Sequence, residues 1–213
     1  MNDQKLSAGK ISKARYEFRT FGRNFSESAK LMEQLSDPIP KDFKHRISNE
    51  IYIISRSGDN NNIKIRDKML DIKTYVQTVN GFEQWQPFLK EEFPINKAVL
   101  INDVFSVFNV RLKNISKAEI SFNNFIQIIK ECEELQAINL IKERFGYLVN
   151  NTICEVADVM INGTKLVTIS SESTKIDDIL KTIQDVKLED YENINYIQMI
   201  KRVIGMINKP LAN

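Results

Sequence analysis

The sequence predicts an α+β fold, a mainly antiparallel sheet with helices at its outside or its ends. Three observations lead there. Apolar and polar residues alternate in runs that recur between residues 11 and 172. Asn162-Gly163 separates two of those runs, as a tight hairpin turn requires. Beyond Ser173-Thr174 the apolar spacing changes to that of amphipathic helices.

From residue 11 to 21 the run ISKARYEFRTF puts Lys13, Arg15, Glu17 and Arg19 on one face and Ala14, Tyr16, Phe18 and Thr20 on the other. This is a strand with one charged face. Ser26 opens a short helix on which Phe25, Ala29, Met32 and Leu35 follow helical spacing, and Asp37-Pro38 closes it. Strands follow at 50–56, 63–68, 69–78 and 82–93, with Asp59-Asn60-Asn61-Asn62 as a hairpin loop between the first two. In the second of these Lys64, Arg66 and Lys68 lie opposite Ile63 and Ile65. In the third Asp71, Lys73 and Tyr75 lie opposite Leu70, Ile72 and Val76.

Residues 96–110 are mixed in pattern, and FNNFIQIIKECEEL predicts a helix with Phe122, Phe125 and Ile129 inward. Strands resume at 138–145, 147–161 and 165–172, the middle one long enough to cross a sheet or barrel obliquely. Two helices close the chain, one presenting Ile176, Ile179, Leu180 and Ile183, the other Ile194, Ile197, Ile200 or Lys201, and Ile204. Their apolar faces read as core rather than as a dimer seam, and Lys201 and Arg202 as solvated surface.

A length of 213 residues suits one domain, expected over 11–207, with 1–10 as a flexible N-terminal segment and 208–213 as a tail. Thirty Lys and Arg against 28 Asp and Glu leave a net charge of +2, so neither a generally basic nucleic-acid binder nor an acidic tail is expected. Cys132 and Cys154 supply no disulfide framework and no zinc spacing, so a reducing, cytoplasmic location is expected. With no apolar run of about 18 residues, no membrane partner is expected. The single histidine, His45, excludes mechanisms that need a histidine pair, and it reads as a surface residue in a loop. No Gly-rich phosphate loop can be written. Trp85, beside Phe82 and Phe88, reads as packing, and Cys154 as core.

One strand with alternating bases is most often a solvated face. Here basic faces recur at Lys13/Arg15/Arg19, Lys64/Arg66/Lys68, Lys73 and Lys142/Arg144. If those strands curve around one interior, the bases converge on a polar lumen that repels itself unless an anion fills it. Guanidinium and ammonium groups side by side are what phosphate oxygens require.

Across about residues 11–205 the sequence resembles the CYTH or triphosphate tunnel superfamily, in which an antiparallel β-barrel or tunnel carries peripheral helices. KARYEFRTFG resembles its opening Glu-x-Glu-x-Lys/Arg strand, IKIRDK and MLDIKTY its basic strands, and IKERF its late Lys-x-Arg strand. ICEVADVMINGTKLVTISSES resembles the closing hairpin, followed by a final helix, turn and helix. The resemblance implies a ligand bearing a triphosphate, either a small molecule or an RNA 5′ end, and a monomer or homodimer.

It also implies phosphate-binding roles for Lys13, Arg15, Arg19, Lys64, Arg66, Lys73, Lys142 and Arg144. Glu17 and Glu172 take catalytic roles, and Glu17, Glu155 and Glu172 hold magnesium or manganese. The chain departs from the pattern at two places: Arg15 stands where the first acid belongs, and Ser170 replaces the partner acid of Glu172. A hard cation needs several oxygens, so the anion-binding half of the site is better preserved than the metal half. Glu155 and Asp158 have odd spacing and fall on opposite faces of a regular strand.

Three readings follow. A tunnel enzyme cleaves or cyclises a triphosphate with a divalent metal. A tunnel protein without catalysis binds a phosphorylated ligand, an RNA 5′ end or an acidic partner. Or the charged faces are solvated and the protein is structural, in which case the bases radiate outward.

Overall fold

Four two-residue turns organise this chain. A computed structural model describes residues 13–108, 110 and 116–211, so the expected segment 1–10 and residues 212 and 213 lie outside the described residues. The turns are Asp67-Lys68, Asn80-Gly81, Asn150-Asn151 and Asn162-Gly163, and in each both residues have positive φ. That is the backbone twist which matches paired antiparallel strands, and Asn, Asp and Gly tolerate it.

The strands are β1 (Arg15–Gly22), β2 (His45–Ser55), β3 (Asn61–Arg66), β4 (Met69–Val79), β5 (Phe82–Glu92), β6 (Ile95–Asn96), β7 (Glu119–Ile120), β8 (Leu135–Val149), β9 (Thr152–Ile161) and β10 (Thr164–Ser173). The helices are α1 (Ser26–Leu35), α2 (Lys41–Lys44), α3 (Lys97–Val99), α4 (Phe122–Glu131), α5 (Ile176–Asp185) and α6 (Tyr196–Val203). Eight strands close a barrel in the order β1-β10-β9-β8-β2-β3-β4-β5, every neighbour antiparallel, and β5 pairs back to β1 through Arg15 and Trp85. Closure removes the unpaired edges that an open sheet would expose. β6 and β7 form a separate two-stranded ribbon.

Alternation along the strands sends one set of side chains outward to the helices and the other inward. Outside, Ile53, Ile63, Ile65, Leu70 and Ile72 pack with Phe105, Phe125 and Ile129 from the segment that includes α4. Ser121 caps α4 by accepting from the Asn124 N–H, and Lys130 sits in its last turn. On the opposite flank Phe18, Cys154 and Ile169 pack with Met32 of α1 and Ile179 of α5. Inside, Phe21, Tyr52, Ile54, Leu140, Ala157 and Val159 pack with Tyr196, Ile197 and Ile200, so α6 seals one end of the barrel. Fully burying each such large apolar side chain contributes about 1.5–3 kcal/mol.

Five sequence expectations are corrected. Residues 147–161 are not one strand: Asn150-Asn151 breaks them into the end of β8 and the start of β9. β2 begins at His45, not at residue 50, because its first residues turn the apolar Ile47 outward and bury the polar Ser48, so they lack the apolar-in alternation of a strand. His45 is therefore a strand residue, exposed and 2.8 Å from Glu143. Lys68 turns rather than continuing the basic face of β3. Lys201 and Arg202 are buried, at 4% and 7% exposure, instead of solvated.

Candidate functional site

β1 turns Glu17 and Arg19 inward, and the registers of the barrel bring them against the charged faces of the other strands. Glu17 lies directly opposite Glu172 on β10, and Ser170, one inward step further along, lies opposite Arg19. Lys142 and Arg144 on β8 lie opposite Ser48 and Arg46 on β2, while Arg66 on β3 lies opposite Glu50. The bases converge on the interior of the barrel and do not radiate into solvent.

Ion pairs bind the interior together. Arg19 Nε donates to Glu17 Oε1 at 2.6 Å, and its Nη1 lies 3.4 Å from Glu155 Oε1. Lys142 Nζ reaches the same Glu155 oxygen at 2.5 Å, and Arg144 Nη1 lies 3.4 Å from the other. Arg66 Nη1 stands 3.3 Å from Glu50 Oε1, Lys64 Nζ 3.9 Å from Glu50 Oε2, and Lys73 Nζ 4.0 Å from Glu172. The inner end is lined by Tyr196, whose ring faces Arg19 at 4.5 Å and Lys142 at 5.1 Å. Thus, among the described residues, the six cations Arg19, Lys64, Arg66, Lys73, Lys142 and Arg144 pair with five carboxylates, Glu17, Glu50, Glu155, Glu172 and, through Arg66 at 4.0 Å, Asp67, and positive charge is left over.

The balance between burial and neighbours sets each protonation state. Burial, reinforced by Glu172 and opposed by Arg19 and Lys73, raises the Glu17 carboxyl above its ordinary value. Burial also opposes ionisation of Glu50, yet Lys64, Lys142 and Arg66 outweigh it and hold that carboxyl at about 2. Glu155 is driven well below the carboxylate range, because Lys142, Arg19 and Arg144 overcome its burial. Burial brings Lys64 down to about 8, helped by Arg66, Lys142 and Lys73 and opposed by Glu50.

Lys13 is exposed and Arg15 half-buried at the rim. With Glu17, Lys73, Trp85, Pro87 and Glu172 they line a cavity of about 10 Å³, space for one water. A second cavity of about 120 Å³ lies among Arg46, Arg66, Asp67, Met69, Asp71 and Lys90. Both include residues from the end of the barrel where β1 and β2 begin, Lys13 and Arg15 in the first and Arg46 in the second. Trp85 is buried with the inner cluster, and its Nε1–H lies 3.2 Å from Glu83. Asp158 is exposed, on the outer face, while Glu155 points inward, as their odd spacing requires.

Sequence reasoning missed Glu50, Tyr52 and Tyr196. Glu50 was legible in principle, since it shares a strand face with Ser48 and Tyr52. Nothing local marks Tyr196, which reaches the interior only because α6 folds back onto the barrel.

Glu17 and Glu172 suit a divalent cation: they face each other in register, and their mutual repulsion is what such an ion relieves. Glu155 does not join them, since both its oxygens are engaged by cations. Among the described residues no group of three or more His, Cys, Asp or Glu side chains could by itself hold a metal.

A closed eight-stranded barrel with this interior has counterparts among solved structures. A conserved hypothetical protein from Pyrococcus furiosus is similar at 14% identity over 86% of this chain and 98% of that chain, with a TM-score of 0.51. A candidate adenylate cyclase from Bacillus halodurans is similar at 10% identity over 87% and 97%, with a TM-score of 0.50. The fold is a triphosphate tunnel. The mimivirus capping-enzyme triphosphatase matches this tunnel less well, at 10% identity over 82% and 89%, with a TM-score of 0.41. No family model matches the chain, and no curated protein sequence does. No helix among the described residues is long and apolar enough to cross a membrane.

Proposed function

We propose that the tunnel binds the phosphate chain of a triphosphate-bearing molecule, a nucleotide, an inorganic polyphosphate or an RNA 5′ end. The observation that carries this reading is the convergence of Arg19, Lys64, Arg66, Lys73, Lys142 and Arg144 on one interior with fewer carboxylates than cations. Charge-assisted bonds from guanidinium and ammonium groups to phosphate oxygens are strong, and stronger where water is excluded. Arg15 and Lys13, at the rim, receive the outer part of the chain. Calorimetry with tripolyphosphate in the presence of a chelator tests the reading. Metal-independent binding supports it, and absence of binding with or without magnesium removes it.

Hydrolysis is a second reading, favoured by the facing Glu17 and Glu172 carboxylates at the rim. Magnesium or manganese held there would neutralise charge on the phosphate oxygens. Around such a site Lys73 orients Glu172, Arg19 orients Glu17, and Arg15 adds positive charge where phosphate oxygens collect. Arg15 also competes with a metal for the same carboxylates, so catalysis is expected to be more sensitive to metal concentration than binding is. Phosphate release from tripolyphosphate and from nucleoside triphosphates, assayed with each metal, decides it. A protein that binds all of them and releases phosphate from none is a binder only.

A further inference from the structure

The two most deeply embedded carboxylates of the tunnel occupy the places where its cations are densest. Glu155 has a side chain only 12% exposed, with Lys142 and Arg19 on one oxygen and Arg144 on the other. Glu50 is 1% exposed, and its Oε1 accepts from Ser48 Oγ at 3.0 Å and from Arg66 at 3.3 Å. Its Oε2 has no hydrogen-bond partner and faces Lys64 at 3.9 Å. Orphaned acceptors of this kind are costly, and so is a cation approaching a carboxylate already ringed by cations. A divalent metal arriving at Glu155 would meet three positive groups. An arriving phosphate group would meet the same three groups, already engaged by an anion.

Carboxylate and phosphate oxygens are alike in what they accept from Arg and Lys. We propose that Glu155, and by the same geometry Glu50, are resident counter-anions that hold the cation cages of the empty tunnel and are displaced from them by phosphate groups of the ligand. This rests on the phosphate-binding reading above, and it gives Glu155 a role other than metal ligand. The two roles predict opposite signs. Removing a metal ligand weakens metal-dependent binding, whereas removing a counter-anion frees cations and tightens phosphate binding.

The test is calorimetric titration of tripolyphosphate, in chelator, into the wild-type protein and into Glu155→Gln, Glu50→Gln and Glu143→Gln. Glu143 is 44% exposed and paired with His45 outside the barrel, so its substitution makes the same charge change without touching a cage. Glu155→Gln and Glu50→Gln are expected to bind at least about tenfold more tightly than wild type, and Glu143→Gln within about twofold. Without ligand the two cage variants melt lower than wild type, and tripolyphosphate raises their melting temperatures by more than it raises that of wild type. If one cage variant fails to fold, the other carries the same expectation.

Cage variants that bind no tighter than wild type, while wild type binds, overturn the counter-anion role and leave the phosphate-binding reading standing. Equal tightening in Glu143→Gln overturns it too, since the effect is then net charge alone. Binding by the cage variants and not by wild type supports it in its strongest form. No binding by any of the four proteins overturns both readings, because the freed cations then take no phosphate.

Discussion

Lys64 carries its charge at the edge of the physiological range. Its ammonium, brought down to about 8 by burial and by Arg66, Lys142 and Lys73, is increasingly neutral above that pH. A phosphate chain favours the charged form, so binding above pH 8 takes up a proton and tripolyphosphate affinity falls by up to about tenfold per pH unit. Lys64→Arg keeps its charge and flattens that slope in titrations run from pH 7 to 9.5. Glu50 works in the other direction, on stability. Its carboxyl lies at about 2, below the ordinary 4.5. The stabilisation it contributes is therefore present above about pH 4.5 and lost as pH falls toward 2, amounting to about 3 kcal/mol. Glu50→Gln should lack that acid limb when unfolding free energy is followed against pH. At this scale the cations were legible because strand alternation exposes them as a repeated face in the sequence. Glu50 was not singled out, because a lone acid between the polar Ser48 and Tyr52 of its own strand face adds nothing to the repeated basic faces that marked the other strands. The buried pairs of Lys201 and Arg202 were hidden for a related reason: charge on an amphipathic helix signals solvent unless its partners, Asp59 and Glu192, can be placed.

Hairpins are the unit by which this barrel was most and least readable. Asn162-Gly163 announces itself, whereas Asn150-Asn151 makes the same turn without glycine and so hid the boundary between β8 and β9. The register that follows from that turn brings Arg144 opposite Ala157 and Gly146 opposite Glu155, so the cage around Glu155 depends on it. Gly146 has a separate constraint, because a Cβ there would collide with the Phe43 carbonyl oxygen of α2. Gly146→Ala must push α2 off β8 and is expected to cost about 1–3 kcal/mol, measured by denaturant unfolding. Unchanged stability would mean that α2 is not held against the barrel. The outer apolar faces that α4 and α5 cover were readable as helical periodicity, since their partners are strand faces of simple alternation.

Across the whole molecule, α6 is tied at one residue to the barrel and at the next to the segment that leads into the helix. Lys201 pairs with Asp59 and reaches the carbonyl oxygens of Arg56 and Gly58 at 3.4 and 3.3 Å, in the loop between β2 and β3. Arg202 grips both oxygens of Glu192, at 2.6 and 2.8 Å. Lys201→Met removes the first attachment and is expected to cost about 1–3 kcal/mol of unfolding free energy, with Asp59→Asn giving a smaller loss because Asp59 is 43% exposed. A loss confined to α6, seen as faster amide exchange there and not in β8, distinguishes loosening of the seal from general destabilisation. A passage sealed at one end also has a polarity. On the phosphate-binding proposal the free terminus of the chain would lead, whatever carries the chain would stay in solvent, and a cyclic phosphate, having no terminus, would not enter lengthwise. Entry and departure then share one door, so if the chain were cut inside, the outer fragment would have to leave before the inner one could follow.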